Sequence, residues 1–508
     1  MGRRIRWLGV ILVLCFALVI VQLINIQFRQ ASALANSPYN PRVAATKFDN
    51  DRGTVTASDG TVLAKSVKIN SSSSTYNYER EYPDGSLYAG ITGYYSPYFG
   101  APAGIEYEYN QYLQTHAQAP QNLSQLLFNK PPSEPDNVAL TVDPVLQAAA
   151  THALATIPSA NKDGAVVVLN PSTGAVLALA SNPTFDPNYL SNPSVPAELA
   201  YEKAASANDI EGFNGLTPIA TEESFFPGST FKVVTTAAVY NLKPSLISYS
   251  FPSAVSISFP DSNKTLSNDG LTPCGGTMVI MLPASCDPGY GELGIKLGEA
   301  DLTQEAKDFG FSVYQSGPQT VPGLDLPHVA VSTISNISPT AQADLAYSAI
   351  GQLDDQATPL QNALVAAGIA NGGVVMTPHL MNQITDSQGA VVKTYTPTTM
   401  STVTTPAEAA EITKLMQSVA VSGTAAGIFP ASWHMAVKTG TAQVQAPSGP
   451  EQTDDWMIGF LPAATGASQL AIAVVVPYQA YSLTGAQIAG PIVRQVVQAY
   501  ITETGGQG

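Results

Sequence analysis

The sequence is poor in basic residues and in charge generally, and each shortage excludes a class of function. Its 508 residues carry 22 Lys and Arg against 38 Asp and Glu, which gives a formal net charge of −16. This excess of negative charge argues against nucleic acid or anionic lipid as the main ligand. Hydrophobic residues make up 45% of the chain and charged residues 12%, which excludes a disordered protein. The length allows two or three domains with a large core.

The three cysteines and five histidines form no metal-binding pattern. No C-x-x-C or H-E-x-x-H motif occurs and the histidines are scattered, so we expect no metal site. Cys15 lies in an apolar N-terminal run, whereas Cys274 and Cys286 lie in the part of the chain that we place outside the cytoplasm. A disulfide between these two cysteines and two separate buried thiols are both compatible with the sequence.

Long apolar runs are absent except at the N-terminus, where three arginines between residues 3 and 6 precede the run from Trp7 to Ile26. At about 1.5 Å per residue this run spans the ~30 Å hydrocarbon layer of a membrane. Because arginines favour the cytoplasmic side, we expect a cytoplasmic tail (1–6), a single transmembrane anchor (7–26) and an extracytoplasmic remainder. A cleaved signal peptide is the alternative, but the run is longer than the usual apolar region of a signal.

Composition divides the remaining chain into two parts. Residues 27–135 are rich in Tyr, Ser, Gly and Pro and have short strand patterns around an Asp59-Gly60 turn, which predicts a small mixed stalk domain. Residues 136–503 have strand patterns at both ends, around a middle with helical patterns, and Pro491 is expected to open the last helix. We therefore predict an α/β (α+β) domain in which strands from both ends form one sheet flanked by helices.

The most informative stretch runs from Pro227 through Ser229 to Lys232 and leads into an apolar helical pattern. Positions i and i+3 share a face of a helix, so the hydroxyl of Ser229 lies within reach of the amine of Lys232. A partly desolvated lysine can take the serine proton and make the oxygen a nucleophile. A second S-x-x-K copy, Ser159 to Lys162, is interpreted as a solvated turn because it precedes a strand and lacks a buried helix.

Two further elements follow in the chain. The serine loop Ser285-Cys286-Asp287 lies between the S-x-x-K motif and Lys438-Thr439-Gly440-Thr441, which lies within a strand pattern. A glycine inside a strand often marks the close approach of a ligand or another backbone. An extended peptide could pair with this strand by edge addition, with Lys438 and Thr439 facing its terminal carboxylate.

The order of S-x-x-K, serine loop and K-T-G resembles the transpeptidase domain of penicillin-binding proteins. The anchor and the first domain resemble the class B, monofunctional type, and within it the actinobacterial penicillin-binding protein A group. Arg52-Gly53-Thr54, the hairpin turn at residues 170–174 and Ile350-Gly351-Gln352 extend the resemblance over nearly the whole chain. It implies a β-lactamase-like antiparallel sheet flanked by helices, no cofactor, and a single-pass membrane protein with an extracytoplasmic catalytic domain.

The resemblance also implies a role for each residue. Ser229 would attack the D-Ala–D-Ala end of a peptidoglycan stem peptide and form an acyl-enzyme, with Lys232 as the proton acceptor. Ser285 would relay a proton toward the leaving amine, and an amine of a second stem peptide would take the acyl group. β-Lactams would bind covalently at Ser229.

Binding roles follow from the same resemblance. Lys438 and Thr439 would hold the substrate carboxylate, and the backbone N–H groups of Ser229 and Thr441 would form the oxyanion hole. The residues before the hairpin leave no room for a glycosyltransferase domain beside the stalk. A partner glycosyltransferase acting on the lipid-linked precursor is therefore expected.

Asp287 departs from the family pattern, which usually has Asn at this position. An ionised carboxylate only accepts hydrogen bonds, and beside Lys232 it would hold that lysine charged. We hypothesise slower or differently tuned acylation. The alternative is that Asp287 only caps the local turn.

Other functions remain open to test. A β-lactamase would need a second general base, and the stalk and anchor argue against it, whereas a D,D-carboxypeptidase would use the same residues with water as acceptor. A non-catalytic scaffold or a β-lactam-sensing protein of the wall-synthesis machinery is the alternative from a different class, and a sensor would need a partner in the cytoplasm. The sequence predicts a crosslinking D,D-transpeptidase of cell division or elongation, without separating these two roles.

Overall fold

The computed structural model describes residues 2–25, 48, 50–70, 76–117, 133–192, 194–209, 212–316, 319, 321–445, 451–462 and 470–505. The strands in chain order are β1 (Val55–Thr56), β2 (Val62–Lys68), β3 (Tyr78–Glu81), β4 (His116–Ala117), β5 (Ser133–Glu134), β6 (Asn137–Leu140), β7 (Gly164–Leu169), β8 (Val176–Asn182), β9 (Phe251–Ala254), β10 (Ser256–Ser258), β11 (Thr265–Ser267), β12 (Cys274–Gly276), β13 (Ser312–Val313), β14 (Thr333–Ile334), β15 (Val374–Met376), β16 (Met381–Thr385), β17 (Val391–Thr394), β18 (Thr399–Thr402), β19 (Ala436–Gln445), β20 (Glu451–Leu461) and β21 (Leu470–Ala480).

The helices in chain order are α1 (Gly2–Ile24), α2 (Gly85–Thr92), α3 (Gly104–Glu108), α4 (Asn110–Leu113), α5 (Pro144–Ala155), α6 (Pro187–Leu190), α7 (Val195–Ala205), α8 (Ile219–Glu222), α9 (Lys232–Leu242), α10 (Met278–Met281), α11 (Asp287–Leu297), α12 (Glu299–Phe309), α13 (Gln342–Ser348), α14 (Pro359–Ala370), α15 (Pro406–Ser422) and α16 (Gly485–Glu503). Short 3-10 turns lie at Gly228–Phe231, Pro244–Leu246, Asp269–Leu271 and Ala431–Trp433.

The central sheet has the strand order β19-β20-β21-β7-β8 and is antiparallel throughout. Its strands come from both ends of the predicted second domain, as the strand patterns indicated. Nearly every residue of β7 and β21 is buried, whichever face its side chain takes. Helices α5 and α16 pack against each other and against the sheet, and α14 packs against β7, β20 and β21. The sheet flanked by helices is therefore confirmed.

A second sheet joins strands from both predicted domains. Its order is β17-β16-β6-β1-β2-β3, with β1 parallel to β6 and β6 antiparallel to β16. Strands β1–β3 precede residue 135 and the other three follow it, so the two segments share this sheet. The boundary at 135/136 stays a prediction, and residues 26–47, 49, 71–75 and 118–132 of the predicted anchor and stalk lie outside the described residues.

Helix α9 lies in the middle of the second domain. Its residues from Lys232 to Val239 are all buried, and it packs against α11, α12 and α15. The apolar helix predicted after Ser229 is therefore present.

The two terminal helices differ from the expectations. Helix α1 covers most of the predicted anchor, and no helix among the described residues has the combined length and hydropathy that a membrane crossing requires. The last helix begins at Gly485 rather than at Pro491, which lies inside it. Ile488 and Ala489 are buried in the core, so their packing outweighs the helix hydrogen bond that Pro491 cannot make.

Candidate active site

Ser229 lies in the 3-10 turn Gly228–Phe231, which leads directly into α9. Gly228 has φ +52°, a region that glycine adopts without strain. A Cβ atom on Gly228 would lie 2.9 Å from the Cβ of Ala442 on β19, and the Gly228 N–H donates to the carbonyl of Gly351 at 2.9 Å. The turn thus packs between β19 and Gly351, which places Ser229 beside β19.

The predicted pair of Ser229 and Lys232 is present. Lys232 is fully buried, and its Nζ donates to Ser229 Oγ at 2.9 Å. The same Nζ contacts the carbonyl oxygen of Ser285 at 2.7 Å and Asp287 Oδ1 at 2.5 Å. It also lies 5.6 Å from the centre of the Tyr290 ring. One buried amine therefore connects the candidate nucleophile with the serine loop.

Ser285 lies in the loop between α10 and α11. Its φ of +52° is uncommon for a residue with a side chain, and such conformations cluster at functional sites. The Ser285 hydroxyl donates to Ser229 Oγ at 2.9 Å and accepts from Lys438 Nζ at 2.9 Å. Ser285 therefore links the helix that carries Lys232 to the strand that carries Lys438.

Lys438 and Thr439 lie on β19, which is the edge strand of the central sheet. Lys438 is fully buried and Thr439 is 6% exposed. Besides Ser285, Lys438 Nζ contacts the carbonyl oxygen of Thr439 at 2.8 Å. The K-T-G lysine and the S-x-x-K serine thus share one site, as the sequence predicted.

Gly440 and Thr441 set the distance between β19 and its neighbours. A Cβ atom on Gly440 would lie 3.0 Å from the carbonyl oxygen of Pro227 and 3.0 Å from Thr230 Cγ2. The glycine in this strand therefore permits the close approach that the sequence indicated. Thr441 Oγ1 accepts the N–H of Gly485, the first residue of α16, at 3.1 Å.

Burial controls the protonation of both lysines. It lowers the pKa of Lys232, while the carboxylate of Asp287 opposes that shift. Burial lowers the pKa of Lys438 well below its usual value, and the charge of Lys232 lowers it further. Two charged amines buried around one serine repel each other and lack hydration, so the site favours the loss of one proton. This suits a site in which a lysine has to accept the serine proton.

Two contacts hold the serine loop in place, one made by Cys286 and one by the backbone of Asp287. Cys286 forms a disulfide with Cys274 of β12, so the sequence alternative of two separate thiols is wrong. The backbone N–H of Asp287 donates to Asn268 Oδ1 at 3.1 Å. Asp287 is the first residue of α11, and its carboxylate contacts Lys232 as described above.

Sequence reasoning missed two polar residues of this site. Asn268 holds the backbone of Asp287, and Thr424 Oγ1 lies 2.6 Å from Thr439 Oγ1. Neither residue belongs to a motif. The only local signal for Thr424 is its place directly after Gly423, where the helical pattern ends.

The second S-x-x-K copy forms no comparable site. Ser159 to Lys162 lie in a bend, Lys162 is exposed, and its Nζ contacts the carbonyl oxygen of Ala155 at 2.9 Å. Its interpretation as a solvated turn is confirmed.

Comparison with protein families decides the identity of this fold. The penicillin binding protein transpeptidase domain matches residues 164–498, and the penicillin binding protein A dimerisation domain matches residues 52–134. The chain belongs to the penicillin-binding protein family. The family resemblance seen in the sequence is therefore confirmed, and the transpeptidase match contains every site residue predicted from it.

Individual relatives of this penicillin-binding protein agree. The peptidoglycan D,D-transpeptidase PbpA of Mycolicibacterium smegmatis is 33% identical over 99% of this chain and 100% of its own length. Penicillin-binding protein A of Mycobacterium tuberculosis, solved as a ceftriaxone acyl-enzyme complex, superposes with a TM-score of 0.78 at 31% identity over 90% of this chain and 99% of that chain. Its penicillin G acyl-enzyme complex has a TM-score of 0.75 at 32% identity over 89% of this chain and 100% of that chain.

Proposed function

We propose that this penicillin-binding protein is a peptidoglycan D,D-transpeptidase that crosslinks D-Ala–D-Ala stem peptides through an acyl-enzyme on Ser229. The observation that carries the proposal is the position of Ser229 Oγ, 2.9 Å from Lys232 Nζ and 2.9 Å from Ser285 Oγ. The full-length similarity to a D,D-transpeptidase supports the same reaction. The residue roles below rest on this geometry.

Acylation begins with loss of the Ser229 proton. Neutral Lys232 takes the proton while Ser229 Oγ forms a bond to the carbonyl carbon of the penultimate D-alanine. Burial lowers the pKa of Lys232 and so favours its neutral form. The tetrahedral oxyanion is held by the backbone N–H groups of Ser229 and Thr441, each typically contributing ~3–4 kcal/mol to such a transition state.

Breakdown of the tetrahedral intermediate needs a proton on the departing amine. Ser285 Oγ lies 2.9 Å from Ser229 Oγ and 3.2 Å from Lys232 Nζ, so its hydroxyl can pass a proton to the nitrogen of the leaving D-alanine and take one from the Lys232 ammonium in exchange. The C–N bond then breaks and D-alanine departs. In the second half the amine of another stem peptide attacks the ester carbonyl. The amine loses a proton to Ser285, Ser285 passes one to Lys232, and Lys232 returns one to Ser229 Oγ as its bond to the acyl carbon breaks.

Substrate and β-lactam share a carboxylate, which Lys438 and Thr439 bind. Burial lowers the pKa of Lys438 in the free site, but an incoming carboxylate beside its amine favours the charged form, and the hydroxyl of Thr439 supplies a second donor on the same strand. Because β19 is an edge strand, an extended stem peptide can add to it, with Gly440 and Thr441 as backbone partners. A β-lactam acylates Ser229 by opening its ring, and no cofactor takes part.

We further propose that the N-terminal run from Trp7 to Ile26 anchors the chain in the cell membrane once. The apolar composition of this run, the arginines before it and the helical conformation of Gly2–Ile24 support the proposal. The tail 1–6 is cytoplasmic, 27–135 is a stalk, and the catalytic domain 136–503 is extracytoplasmic. A partner glycosyltransferase polymerises the lipid-linked precursor into the glycan whose stem peptides this domain crosslinks.

One observation favours the second candidate, a β-lactam-sensing or non-catalytic scaffold. Asp287 Oδ1 lies 2.5 Å from Lys232 Nζ and stabilises the charged lysine, which cannot act as a base. The burial of Lys232 opposes this effect and outweighs it, so its pKa is lowered overall. The catalytic function is therefore preferred.

The proposal is tested by treating the full-length chain, purified in detergent, with penicillin G and measuring its intact mass. We expect one covalent adduct on Ser229 and none in Ser229→Ala. Turnover of a D-Ala–D-Ala stem-peptide mimic with an acceptor amine then separates enzyme from sensor. An unmodified wild-type mass would contradict the acyl-enzyme, and an adduct without turnover would favour the sensor.

A further inference from the structure

Thr424 lies where the end of α15 meets the carboxylate-binding strand. Its Oγ1 is 2.6 Å from Thr439 Oγ1, and its backbone N–H donates to the carbonyl of Pro283 at 3.1 Å. Pro283 lies two residues before Ser285, in the same loop between α10 and α11. Thr424 therefore touches two of the three segments that build the site, although it belongs to none of their motifs.

We propose that Thr424 is a positioning residue for the substrate carboxylate, acting by donating its hydroxyl proton to Thr439. This inference rests on the proposed function and deepens it, because it concerns how the same site distinguishes a free carboxylate from an uncharged end group. Thr424 itself is exposed, whereas Thr439 is 6% exposed. The exposed hydroxyl can take a hydrogen bond from water while it orients the buried one.

The direction of the hydrogen bond follows from counting protons. Each threonine hydroxyl has one proton to donate, and an ionised carboxylate can only accept. When Thr439 donates to the substrate carboxylate, its proton is no longer available for Thr424. The contact of 2.6 Å between the two oxygens can then persist only with Thr424 as the donor. A hydroxyl that accepts one hydrogen bond also donates a stronger one.

The backbone fixes Thr424 in this position. A Cβ atom on Gly423 would lie 2.4 Å from the carbonyl oxygen of Pro283, so a side chain there would push the segment away from the serine loop. On the other side, Ala425 is fully buried and its N–H donates to the carbonyl of Val419 at 3.1 Å. Thr424 is β-branched, which leaves its hydroxyl few orientations.

The effect of Thr424 is confined to carboxylate recognition. Its hydroxyl reaches Thr439, whereas Lys232 and Ser285 bind Ser229 through contacts that do not involve Thr424. Loss of one neutral hydrogen bond should therefore weaken the reaction with a carboxylate substrate about threefold to tenfold. A substrate without a carboxylate should not respond.

The test compares Thr424→Val, which keeps the shape and removes the hydroxyl, with Thr424→Ser, which keeps the hydroxyl. Acylation of the full-length chain in detergent is measured with penicillin G and with its methyl ester. We expect Thr424→Val to lower the second-order rate about threefold to tenfold for penicillin G and to leave the methyl ester rate unchanged, with Thr424→Ser close to wild type. An equal loss with both compounds, or no loss, overturns the proposal.

A matched control lies on α15, the helix that ends at Ser422, two residues before Thr424. Thr413 of α15 donates its hydroxyl to the carbonyl of Ala409 at 2.8 Å. Thr413→Val removes a hydroxyl from α15 without touching Thr439, so the ratio of the two acylation rates should not change. A changed ratio would mean that general loosening of α15, and not the Thr424 hydroxyl, sets the preference.

A second measurement separates this proposal from the proposed function. In the Ser229→Ala background, noncovalent binding of a D-Ala–D-Ala peptide is compared with that of its C-terminal amide. Thr424→Val should reduce the preference for the acid about threefold to tenfold. This comparison decides the role of Thr424 even if Ser229 is never acylated, and an unchanged preference contradicts it.

Discussion

Two clusters in this protein each combine two buried cationic side chains with one carboxylate, but their pKa shifts have opposite directions. In the N-terminal region, Glu106 binds Arg52 at 2.6 Å and Arg80 at 2.7 Å, and all three side chains are at most 4% exposed. Tyr95 lies under the Arg52 guanidinium, with 4.0 Å from Arg52 Cζ to the ring centre. This cluster holds two cations around a carboxylate whose two oxygens are both engaged.

The active site also has two buried cationic side chains and one carboxylate, but the pairing is unequal. Asp287 contacts Lys232 at 2.5 Å, its side chain is 19% exposed, and Lys438 makes its hydrogen bonds to Ser285 and Thr439. Burial lowers the pKa of Lys232 and Lys438 here.

In the cluster of Glu106 with Arg52 and Arg80, the pKa shifts favour the charged forms, which is the opposite of the shifts in the active site. Burial lowers the pKa of Arg80, but Glu106 outweighs it and the pKa is raised overall. Burial raises the pKa of Glu106, but the two arginines outweigh it and the pKa is lowered overall. Arginine keeps its proton in proteins whereas buried lysine can lose it. The protein thus uses arginine where charge has to persist and, at position 232, lysine where a proton has to move.

The largest expected effect is that of Lys232→Arg on the acylation rate. A guanidinium at this position retains charge but cannot accept the Ser229 proton, so acylation by penicillin should fall about 10³–10⁴-fold, within the usual range for a general base. Stopped-flow or quenched-flow labelling of the full chain measures the rate. Lys162→Arg, in the second S-x-x-K copy, is the matched control and should acylate at the wild-type rate. A near-wild-type rate for Lys232→Arg would exclude lysine as the proton acceptor.

The converse test removes the carboxylate of the first cluster. Glu106→Gln leaves two buried guanidinium groups without a counter-charge, which should lower the free energy of unfolding by about 3–5 kcal/mol. Urea or thermal unfolding of the full chain measures this loss. The exposed pair Lys65–Glu81, 3.4 Å apart, is the control, and Glu81→Gln should cost less than ~1 kcal/mol. Similar losses for the two variants would mean that the buried cluster is no more important than a surface pair.

Asp455, which is buried next to a second buried carboxyl, Asp454, shows what happens without any counter-charge. It faces Thr441 across β19 and β20, is fully buried, and neither of its oxygens has a hydrogen-bond partner among the described residues. Burial, with a further contribution from the adjacent Asp454, raises the pKa of Asp455 to about 8, well above the usual value for an aspartate. The folded state therefore holds this proton more tightly than the unfolded state, and the contribution is present at low pH and lost as pH rises toward 8.

Asp455→Asn should remove this dependence. At pH 5 the unfolded aspartate is already ionised while the folded one keeps its proton, so the stability advantage of the variant has only begun to develop. Between pH 5 and 8 the wild type loses about 1.4 kcal/mol per pH unit, so by pH 8.5 the advantage of the variant should have grown by about 4 kcal/mol. Thermal unfolding across this range is the measurement. A constant difference at all pH values would mean that packing, not ionisation, distinguishes the variant.

These clusters also mark what could be predicted from the sequence. Ser229 and Lys232 are three positions apart, and Lys438 to Thr441 lie on one strand, so local periodicity and the family pattern located them. The contacts of Glu106 with Arg52 and Arg80, and of Thr424 with Thr439, join positions that only the folded chain brings together, and none of these three pairs has a motif spacing. The start of α16 was missed for the same reason, because burial of Ile488 outweighs the local signal of Pro491.

The smallest effect is expected for Asp287→Asn, and its direction distinguishes the two clusters. Asp287 is the counterpart of Glu106, but its carboxylate raises the pKa of a lysine that has to be neutral. Acylation should rise with pH as Lys232 loses its proton. Asp287→Asn should move this rise to lower pH by about one unit, the low end of the range for an adjacent charge because Asp287 is partly exposed.

On the rising part of the profile, Asp287→Asn should therefore acylate about tenfold faster than wild type. The measurement is the penicillin acylation rate of both proteins from pH 5 to 9. Removing the carboxylate thus harms the arginine cluster and activates the lysine cluster, although each removal deletes one buried or partly buried negative charge. Coincident pH profiles would show that Asp287 does not set the protonation of Lys232, and the contrast between the clusters would then lie in the choice of lysine alone.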